Sequence, residues 1–346
     1  MAVHALQDRR GVNLPRNFGI VFGVLAFAAL AAGYSFVALF NLLVAMMSIY
    51  LWERITRPPV NNPAHFLKRF RELSPPRPVL VCLGDSLTHG RVSDDWTRKI
   101  PSKIATKMKF DRPEQRDFMD PVWVVNAGQN SITSWVILQE RLQAALACYP
   151  DYILIMIGTN DVLAMNSPIV SNDKVASFDL PDPPSMAGLE RNLRGIVDFI
   201  SKASPKTEIG LCTLPPMGED LTSPVNKLVK QANEIIHALS DEDGTCTTVQ
   251  VGEGLQNQII QKKNRQERAT SAATSSPMMM VILMMVQAPL HFLFGVSWNV
   301  LTKLSSGCVL HDTLHLNEDG GDVVADLVVE WLFSKNVHKA IAVKQF

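Results

Sequence analysis

Apolar residues fall into three patterns along the chain, and the first is one long run near the N-terminus. No Asp, Glu, Lys or Arg occurs between Asn17 and Trp52, a stretch of 36 residues. A single helix of that length would extend about 54 Å, whereas the hydrocarbon core of a bilayer is about 30 Å thick. The run therefore predicts either one transmembrane helix with a protruding end or a helical hairpin that turns near residues 33–35.

The second pattern is a series of short, nearly continuous apolar runs, which is typical of parallel strands covered on both faces. These runs lie at 79–83, 122–126, 152–157, 209–214 and 247–251. Between them, apolar residues recur at helical spacing, as from Met186 to Ile200 and from Val225 to Leu239. This alternation predicts an α/β fold, a three-layer sandwich with a parallel, flavodoxin-like sheet.

The third pattern is a second apolar segment, residues 277–304, which follows the polar stretch 256–276 and interrupts the alternation of strands and helices. Apart from His291, nothing titratable lies between Arg268 and Lys303. The patterns divide the chain into an N-terminal membrane segment (1–57), a proline-rich linker (58–77), an α/β domain (78–335) with an apolar insertion (256–304), and a tail (336–346).

Charge and cysteine content narrow the function classes. The formal net charge is zero, so no basic surface for nucleic acid is predicted. The five cysteines lie far apart without a CxxC pair, and no Asn-X-Ser/Thr sequon occurs, which favours a reducing compartment. Positive residues flank the first apolar run on both sides, among them Arg16 before it and Arg54 and Arg57 after it. This distribution suits a hairpin in a membrane with the α/β domain facing the cytosol.

Polar residues with catalytic potential follow the predicted strands. The first strand leads into Gly84-Asp85-Ser86, the second into "NAGQNS" (126–131) and the third into "GTND" (158–161), while "DTLH" (312–315) precedes the last helical pattern. Each motif alone could be a helix cap or a turn. Together they supply what acyl transfer needs, because a serine nucleophile requires a histidine base and the base requires an acceptor. In a helical turn, Asp312 would lie on the same face as His315.

The same motifs offer hydrogen-bond donors for an oxyanion. Ser86 at a helix N-terminus would have a free N–H, Asn160 could offer its side-chain amide, and a backbone N–H of the Gly128–Ser131 turn could be a third donor. A nucleophile elbow of the form G-x-S-x-G is absent around Ser86. His311, Asp312 and His315 could in principle ligate a metal, but no second ligand cluster is evident, so neither a metal nor another cofactor is predicted.

In these motifs the chain resembles the SGNH hydrolases of the GDSL esterase/lipase superfamily. "GDSLTHG" matches the first block of that family, "GTND" the third and "DTLH" the closing DxxH, and "LPPMGED" (214–220) is also similar to family members. The resemblance implies that Ser86 is the nucleophile, that Asp312 orients His315, and that Asn160 is an oxyanion donor. The second block departs from the family, because Ser131 stands where glycine is usual, and a positive φ there would be strained.

The apolar insertion adds a topological constraint, because it lies between the Ser86 and Asn160 motifs and the "DTLH" motif. A single crossing of the bilayer would separate Ser86 from His315, so the segment must dip in and return, lie at the interface, or pack on the domain, with Pro289 and Gly295 as break points. These features predict a membrane-anchored serine ester hydrolase whose partners are the bilayer and a lipid-like or small-molecule acyl ester. A carbohydrate deacetylase, a thioesterase and an inactive membrane scaffold are the alternatives.

Overall fold

The computed structural model describes residues 14–70, 77–109, 120–266 and 277–344. Residues 1–13 of the predicted membrane segment and residues 267–276 of the predicted insertion lie outside the described residues. Five strands form one parallel sheet in the order β2-β1-β3-β4-β5, which confirms the predicted flavodoxin-like sheet. The strands are β1 (Val79–Gly84), β2 (Trp123–Gly128), β3 (Tyr152–Met156), β4 (Glu208–Cys212) and β5 (Thr247–Val249). Gly84 pairs with both Gly128 and Met156, so three strands end at the same level.

Helices cover both faces of the sheet and extend beyond it at the N-terminus. In chain order they are α1 (Leu14–Ala31), α2 (Ser35–Thr56), α3 (Pro63–Arg69), α4 (Ser86–His89), α5 (Ile100–Lys107), α6 (Ser134–Val136), α7 (Leu142–Leu146), α8 (Thr159–Asn166), α9 (Pro168–Phe178), α10 (Met186–Ala203), α11 (Pro224–Asp243), α12 (Val251–Gln266), α13 (Pro277–Phe294), α14 (Trp298–Ser305), α15 (Glu318–Ser334) and α16 (Val337–Lys344). A 3₁₀ turn (Trp96–Lys99) leads into α5, and a π turn (Ile137–Arg141) joins α6 to α7.

Alternate residues of strands β1 to β4 contribute to two separate hydrophobic cores, one on each face of the sheet. Val81 of β1 belongs to the core formed with α7, α10 and α11, whereas Cys82 belongs to the core formed with α5, α12, α15 and α16. Because successive side chains of a strand point to opposite faces, an apolar run without alternation is what a sheet covered on both sides requires. The molecule is therefore the predicted three-layer sandwich.

The predicted linker and tail contain helices that pack on this sandwich. In the linker, Asn62 caps α3 by accepting from the His65 N–H at 3.1 Å, and Phe66 is buried in the core. Asparagine at the N-cap followed by proline at the first helical position is a helix-start signal, which the proline-rich composition of this stretch obscured. In the predicted tail, α16 buries Val337 and Ile341.

The insertion starts later than predicted and returns to the domain. Residues 256–266 belong to α12, whose Leu255 and Ile259 are buried in the core beside α15. Helix α13 ends at Gly295, which has φ 68° and is a predicted break point, and α14 then leads back to the sandwich. Pro289, the other predicted break point, lies inside α13 and does not end it. On either side of this proline, Ala288 and Phe292 pack against α2.

The N-terminal apolar run forms two helices joined at residues 32–34, where Gly33 has φ 82°. A Cβ on Gly19 of α1 would lie 2.9 Å from the Ile49 side chain of α2, so the glycine permits close packing of the two helices. Within the described residues, α2 is the helix that is long and apolar enough to cross a membrane, with a mean hydropathy of 1.9. The run is thus a helical hairpin, one of the two predicted forms.

Candidate active site

Ser86 lies at the carboxyl end of β1, on the first residue of α4. The preceding Asp85 caps this helix, because its Oδ1 accepts from the Leu87 N–H at 3.0 Å. Gly84 permits close packing at this junction, since a Cβ there would lie 2.5 Å from the Met156 carbonyl oxygen of β3 and 2.9 Å from the Thr88 Cβ of α4. The Ser86 N–H is at a helix N-terminus, where the helix itself supplies no acceptor. The strand-to-helix junction therefore leaves the Ser86 amide without a helical acceptor, on the residue whose side chain lines the cavity described below.

His315 and Asp312 are in contact with each other and with Ser86. His315 Nε2 lies 2.9 Å from Ser86 Oγ, and His315 Nδ1 lies 2.7 Å from Asp312 Oδ2. All three side chains are buried. The three side chains are within direct hydrogen-bonding distance of one another in the order serine, histidine, aspartate, which is the geometry that nucleophilic acyl transfer needs.

The "DTLH" segment is a turn, so the expectation of a helical turn is wrong. Thr313 has φ 76°, and α15 begins only at Glu318. The turn is held by Asp312 Oδ1, which accepts from the N–H groups of Leu314 and His315 at 3.0 and 2.7 Å. An aspartate that bonds the backbone two and three residues later makes such a turn without a helix. The second carboxylate oxygen, Asp312 Oδ2, is left to hydrogen-bond the imidazole of His315.

Burial and mutual attraction set the pKa values of this pair. Burial alone would raise the pKa of Asp312, but its attraction to His315 and His311 and its hydrogen bonds outweigh burial, and the pKa is held well below the ordinary value. Burial would lower the pKa of His315, but the Asp312 carboxylate outweighs it and raises the pKa above 6.5. Asp312 is therefore ionised at neutral pH and stabilises an imidazolium at His315.

A glutamate that the motifs did not identify anchors the segment before "DTLH". Glu219 Oε1 accepts from the N–H groups of Cys308, Val309 and Leu310 at 2.6, 2.8 and 3.2 Å. The neighbouring Gly218 N–H donates to the Thr313 carbonyl oxygen at 2.6 Å. These contacts tie the loop after β4 to the turn that carries Asp312 and His315. They give a structural role to part of the "LPPMGED" stretch, which the sequence linked to the site only by resemblance.

Asn160 lies in the first turn of α8, at the end of β3, and lines the same cavity as Ser86 and His315. Its Nδ2 is 3.5 Å from Asp85 Oδ2. The next residue, Asp161, accepts from the N–H and the hydroxyl of Ser134 at 2.9 and 2.6 Å, which fixes the chain after β2 against α8. Within the "GTND" motif, the Asn160 side chain thus lines the cavity, and the Asp161 side chain holds the chain after β2.

The structure contradicts the predicted donor role of Gly128. Its N–H donates to Asn126 Oδ1 at 3.0 Å and is therefore already satisfied. A Cβ on Gly128 would lie 2.4 Å from the His89 nitrogen, so this glycine allows α4 to pack closely on β2. Gly128 is needed for the close approach of α4 and β2. Of the turn 128–131, only Asn130 and Ser131 line the cavity.

Ser131 adopts the conformation that the sequence identified as strained for a residue other than glycine. Its φ is 72°. Lys174 of α9, which no motif singled out, donates from Nζ to the Ser131 carbonyl oxygen at 2.8 Å and to its Oγ at 2.5 Å. On the other side of the turn, Asn130 Nδ2 donates to the Ile55 carbonyl oxygen of α2 at 2.8 Å. The turn is therefore held between α9 and the hairpin.

The insertion contacts the catalytic turn through polar and aromatic side chains. Gln287 of α13 donates to the His311 carbonyl oxygen at 2.8 Å, and its Oε1 is 2.6 Å from His311 Nδ1. Trp298 of α14 stacks on His311 with ring centroids 4.0 Å apart. His311, Asp312 and His315 bring potential metal ligands within 4.8 Å of one another, but the nitrogens of both imidazoles already have hydrogen-bonding neighbours.

A cavity of about 520 Å³ connects these side chains with the hairpin and α13. Its polar end is formed by residues of the strand ends and α9, namely Ser86, Asn130, Ser131, Asn160, Asp173, Lys174 and His315. Its apolar walls come from α1, α2, α8, α9, α13 and the loops after β1 and before α15, and include Phe18, Phe22, Val44, Met47, Leu51, Ile55, Val92, Leu163, Val170, Met284, Met285, Ala288, Pro289 and Leu314. The volume is within the range of about 300–1,000 Å³ that is usual for small-molecule sites.

The protein is an α/β protein with a parallel, doubly wound sheet. Beyond the strand ends, a serine, a histidine and an aspartate are in contact, an arrangement that hydrolases use for acyl transfer. The model of the GDSL-like Lipase/Acylhydrolase family matches residues 82–269, more than half of the chain, and the protein belongs to this family. This confirms the resemblance drawn from the motifs. Family membership supports ester hydrolase activity.

Solved structures with a similar fold include three hydrolases at low sequence identity. LAE5, an alpha/beta hydrolase enzyme from the metagenome of Lake Arreo, Spain, is 16% identical over 73% of this chain and 94% of its own, with a TM-score of 0.46. The acetyl xylan esterase AlAXEase is 16% identical over 73% and 99%, with a TM-score of 0.48. Axe2, an acetylxylan esterase from Geobacillus stearothermophilus, is 16% identical over 73% and 93%, with a TM-score of 0.46. No curated protein matches the chain.

Proposed function

We propose that this protein is a membrane-anchored serine hydrolase that cleaves lipid-like acyl esters through an acyl-enzyme. Ser86 Oγ attacks the ester carbonyl carbon while its proton passes to His315 Nε2, 2.9 Å away. Asp312 holds the imidazole in the required tautomer and stabilises its protonated form. The N–H of Ser86, the turn that ends at Ser131 and the amide of Asn160 donate to the oxyanion of the tetrahedral intermediate.

The remaining steps need only the same groups and water. The tetrahedral intermediate collapses, and the leaving alkoxide takes the proton from His315 as the acyl group stays on Ser86. Water then enters, gives a proton to His315 and attacks the acyl carbon. The second tetrahedral intermediate releases the carboxylic acid and returns the proton to Ser86. These steps call for no metal and no organic cofactor.

The cavity is the single observation that carries the choice of substrate. Ser86 and His315 lie at its polar end, and most of its wall is apolar surface from α1, α2 and α13. An acyl chain would bury its methylene groups in this wall at about 0.8 kcal/mol each, with its carbonyl at Ser86. A small polar acyl ester, such as an acetylated sugar, would leave the same wall exposed to water. The cavity therefore favours a long acyl chain over a carbohydrate deacetylase.

The surface around the cavity supports a location in the membrane. Large apolar side chains of the hairpin and the insertion are exposed, including Phe27, Leu30, Phe36, Leu39, Phe40, Met46, Ile282, Met285, Val286, Phe294 and Leu304. Apolar surface of this extent is costly in water and is typical of proteins in contact with lipid. Helix α2, with 22 residues, is about 33 Å long, enough for one hydrocarbon core.

Basic residues at the base of the hairpin agree with a domain on the cytosolic side. Arg54 and Arg57 lie at the C-terminal end of α2, where the hairpin meets the sandwich. Arg91, which follows α4, donates to the carbonyl oxygens of Arg57 and Pro58 at 3.3 Å. Such a cluster would lie near the headgroups of the cytosolic leaflet, where anionic lipids attract it and the positive-inside rule places it.

A comparison of two esters tests this proposal. We expect the full chain in vesicles to hydrolyse a long-chain acyl ester carried in the bilayer faster than a short-chain ester of the same alcohol, and Ser86→Ala to hydrolyse neither. A preference for acetyl esters would contradict the lipid substrate and favour a deacetylase. Activity confined to thioesters would favour a thioesterase, and no activity on any acyl compound would favour the inactive scaffold.

A further inference from the structure

The second catalytic block has a serine in a backbone conformation that normally requires glycine. Ser131 has φ 72° and lines the cavity beside Ser86 and Asn160. For a residue with a Cβ, a left-handed conformation is strained and persists only when the surroundings hold it. A turn that donates an N–H to an oxyanion must also be fixed before the reaction begins, because preorganised donors need no rearrangement when charge develops.

Lys174 provides contacts that hold this conformation. Its Nζ is 2.8 Å from the Ser131 carbonyl oxygen and 2.5 Å from Ser131 Oγ, so one ammonium group binds both the backbone and the side chain of the same residue. These two bonds fix the backbone carbonyl relative to the side chain. Hydrogen bonds from a charged donor are about twice as strong as those from a neutral donor. The contacts therefore offset the strain of the left-handed backbone.

The burial of Lys174 indicates that this lysine has a specific role. Its side chain is only 4% exposed, although lysine is almost never buried without a partner. Burial lowers its pKa to about 8, while the neighbouring carboxylates Asp173, Asp85 and Asp161 favour the charged form. An exposed lysine on α9 would avoid the cost of burial, so the observed position is explained by what the ammonium group binds.

We infer that Lys174 is a positioning residue that replaces the missing glycine of the second block by holding Ser131 in the left-handed conformation needed for oxyanion stabilisation. The inference rests on the proposed function, since it assigns a role within the same site. Lys174 acts through Ser131 and does not touch the reacting atoms. Its absence should matter only as long as residue 131 has a Cβ, because glycine adopts positive φ without help.

A double-mutant cycle tests this coupling with four full-length chains in the same vesicles. They are the unaltered protein, Lys174→Met, Ser131→Gly and the double variant, and the readout is kcat and KM for one soluble ester. In the serine background we expect Lys174→Met to lower kcat by about 10²-fold, the loss of one oxyanion donor, with little change in KM. In the glycine background we expect the same substitution to change kcat by no more than about twofold, the scatter of uncoupled sites. Lys202→Met, at an exposed position on α10, is the matched control for loss of a lysine.

Equal losses in the two backgrounds would overturn the inference, because they would show that Lys174 acts without regard to the conformation of residue 131. If Lys174→Met does not fold, we expect the double variant to fold, since glycine removes the strain that the lysine offsets; failure of both to fold would also overturn it. The cycle is read separately from the proposed function, whose failure would appear as an unaltered protein no more active than Ser86→Ala or as a preference for acetyl esters or thioesters.

Discussion

The strand-end site and the apolar surface beside it differ in what stabilises them. At the strand ends, Ser86, Asp312 and His315 are at most 8% exposed and make hydrogen bonds within the protein. On the hairpin and the insertion, by contrast, large apolar side chains are exposed: Phe36 is 83% and Phe294 is 75% exposed. The first region is stabilised by contacts inside the protein, whereas the second presents apolar surface to its surroundings. Substitutions at the strand ends should therefore affect every ester, and substitutions on the apolar surface should affect only substrates in a bilayer.

The largest effect is expected for Ser86→Ala, which removes the nucleophile. We expect kcat to fall by about 10⁶-fold, the scale seen when the nucleophile of such an arrangement is deleted, and the fall to be the same for soluble and bilayer esters. Steady-state hydrolysis of both ester types checks this. Because Ser86 is small and lies at a helix start, the melting temperature should change little. A residual rate within tenfold of the unaltered protein would rule out Ser86 as the nucleophile.

Asp312→Asn should cost about 10⁴-fold in kcat, because the imidazole loses the partner that fixes its tautomer. The pH profile gives a second readout. The base must be neutral to accept a proton, and Asp312 raises the pKa of His315, so activity of the unaltered protein should rise with pH through a midpoint above 6.5. Without the carboxylate, burial lowers that pKa, and the midpoint should move to lower pH. A midpoint that stays in place, or moves up, would contradict the pairing.

Asn160→Ala tests the oxyanion donors, with a smaller expected loss of about 10²–10³-fold in kcat. The amide is expected to bond the transition state more strongly than the substrate, so KM should change little. Asn192→Ala is a useful comparison, because Asn192 is also buried but bonds Ser134, away from the cavity. Equal kinetic effects of the two substitutions would mean that Asn160 contributes to stability alone.

Met46→Asp probes the apolar surface and should have the smallest effect on the chemistry. Met46 lies near the middle of α2 and is 59% exposed, and an aspartate at the centre of a membrane helix costs about 2.5–3.5 kcal/mol. We expect weaker vesicle association and slower hydrolysis of the bilayer ester, with the soluble ester unaffected. Val343→Asp, on α16 and also exposed, is the control that should leave both unchanged. If Met46→Asp slowed hydrolysis of the soluble ester to the same extent, the strand-end site and the apolar surface would not have separate roles.

The same contrast explains what the sequence could predict. The residues of the site follow apolar strands, and because parallel strands end at one edge, Ser86 and Asn160 could be placed together from the pattern alone. The alternation of strands and helices likewise predicted the three-layer sandwich with its parallel sheet. Turn geometry at Asp312 could not be predicted in this way, since a DxxH spacing fits a helix and an aspartate-capped turn equally well.

The roles of the supporting residues were not predictable because their partners are distant in sequence, although Glu219 lies in the "LPPMGED" stretch that resembles the family. Lys174 hydrogen-bonds Ser131, which is 43 positions away in the sequence. Gln287 hydrogen-bonds His311, 24 positions away, and Glu219 hydrogen-bonds Val309, 90 positions away. In the sequence each is an ordinary polar residue on a helix or loop. The conflict at Ser131 was the one signal that such support must exist, because a strained backbone requires compensating contacts.

The most direct test of the central claim is covalent labelling of the full-length protein with a fluorophosphonate, read by mass spectrometry of the modified peptide. We expect a single adduct on Ser86, no adduct in Ser86→Ala, and much slower labelling in His315→Ala, because the reagent needs a serine activated by the imidazole. Labelling of another serine, or an unchanged rate without His315, would contradict it.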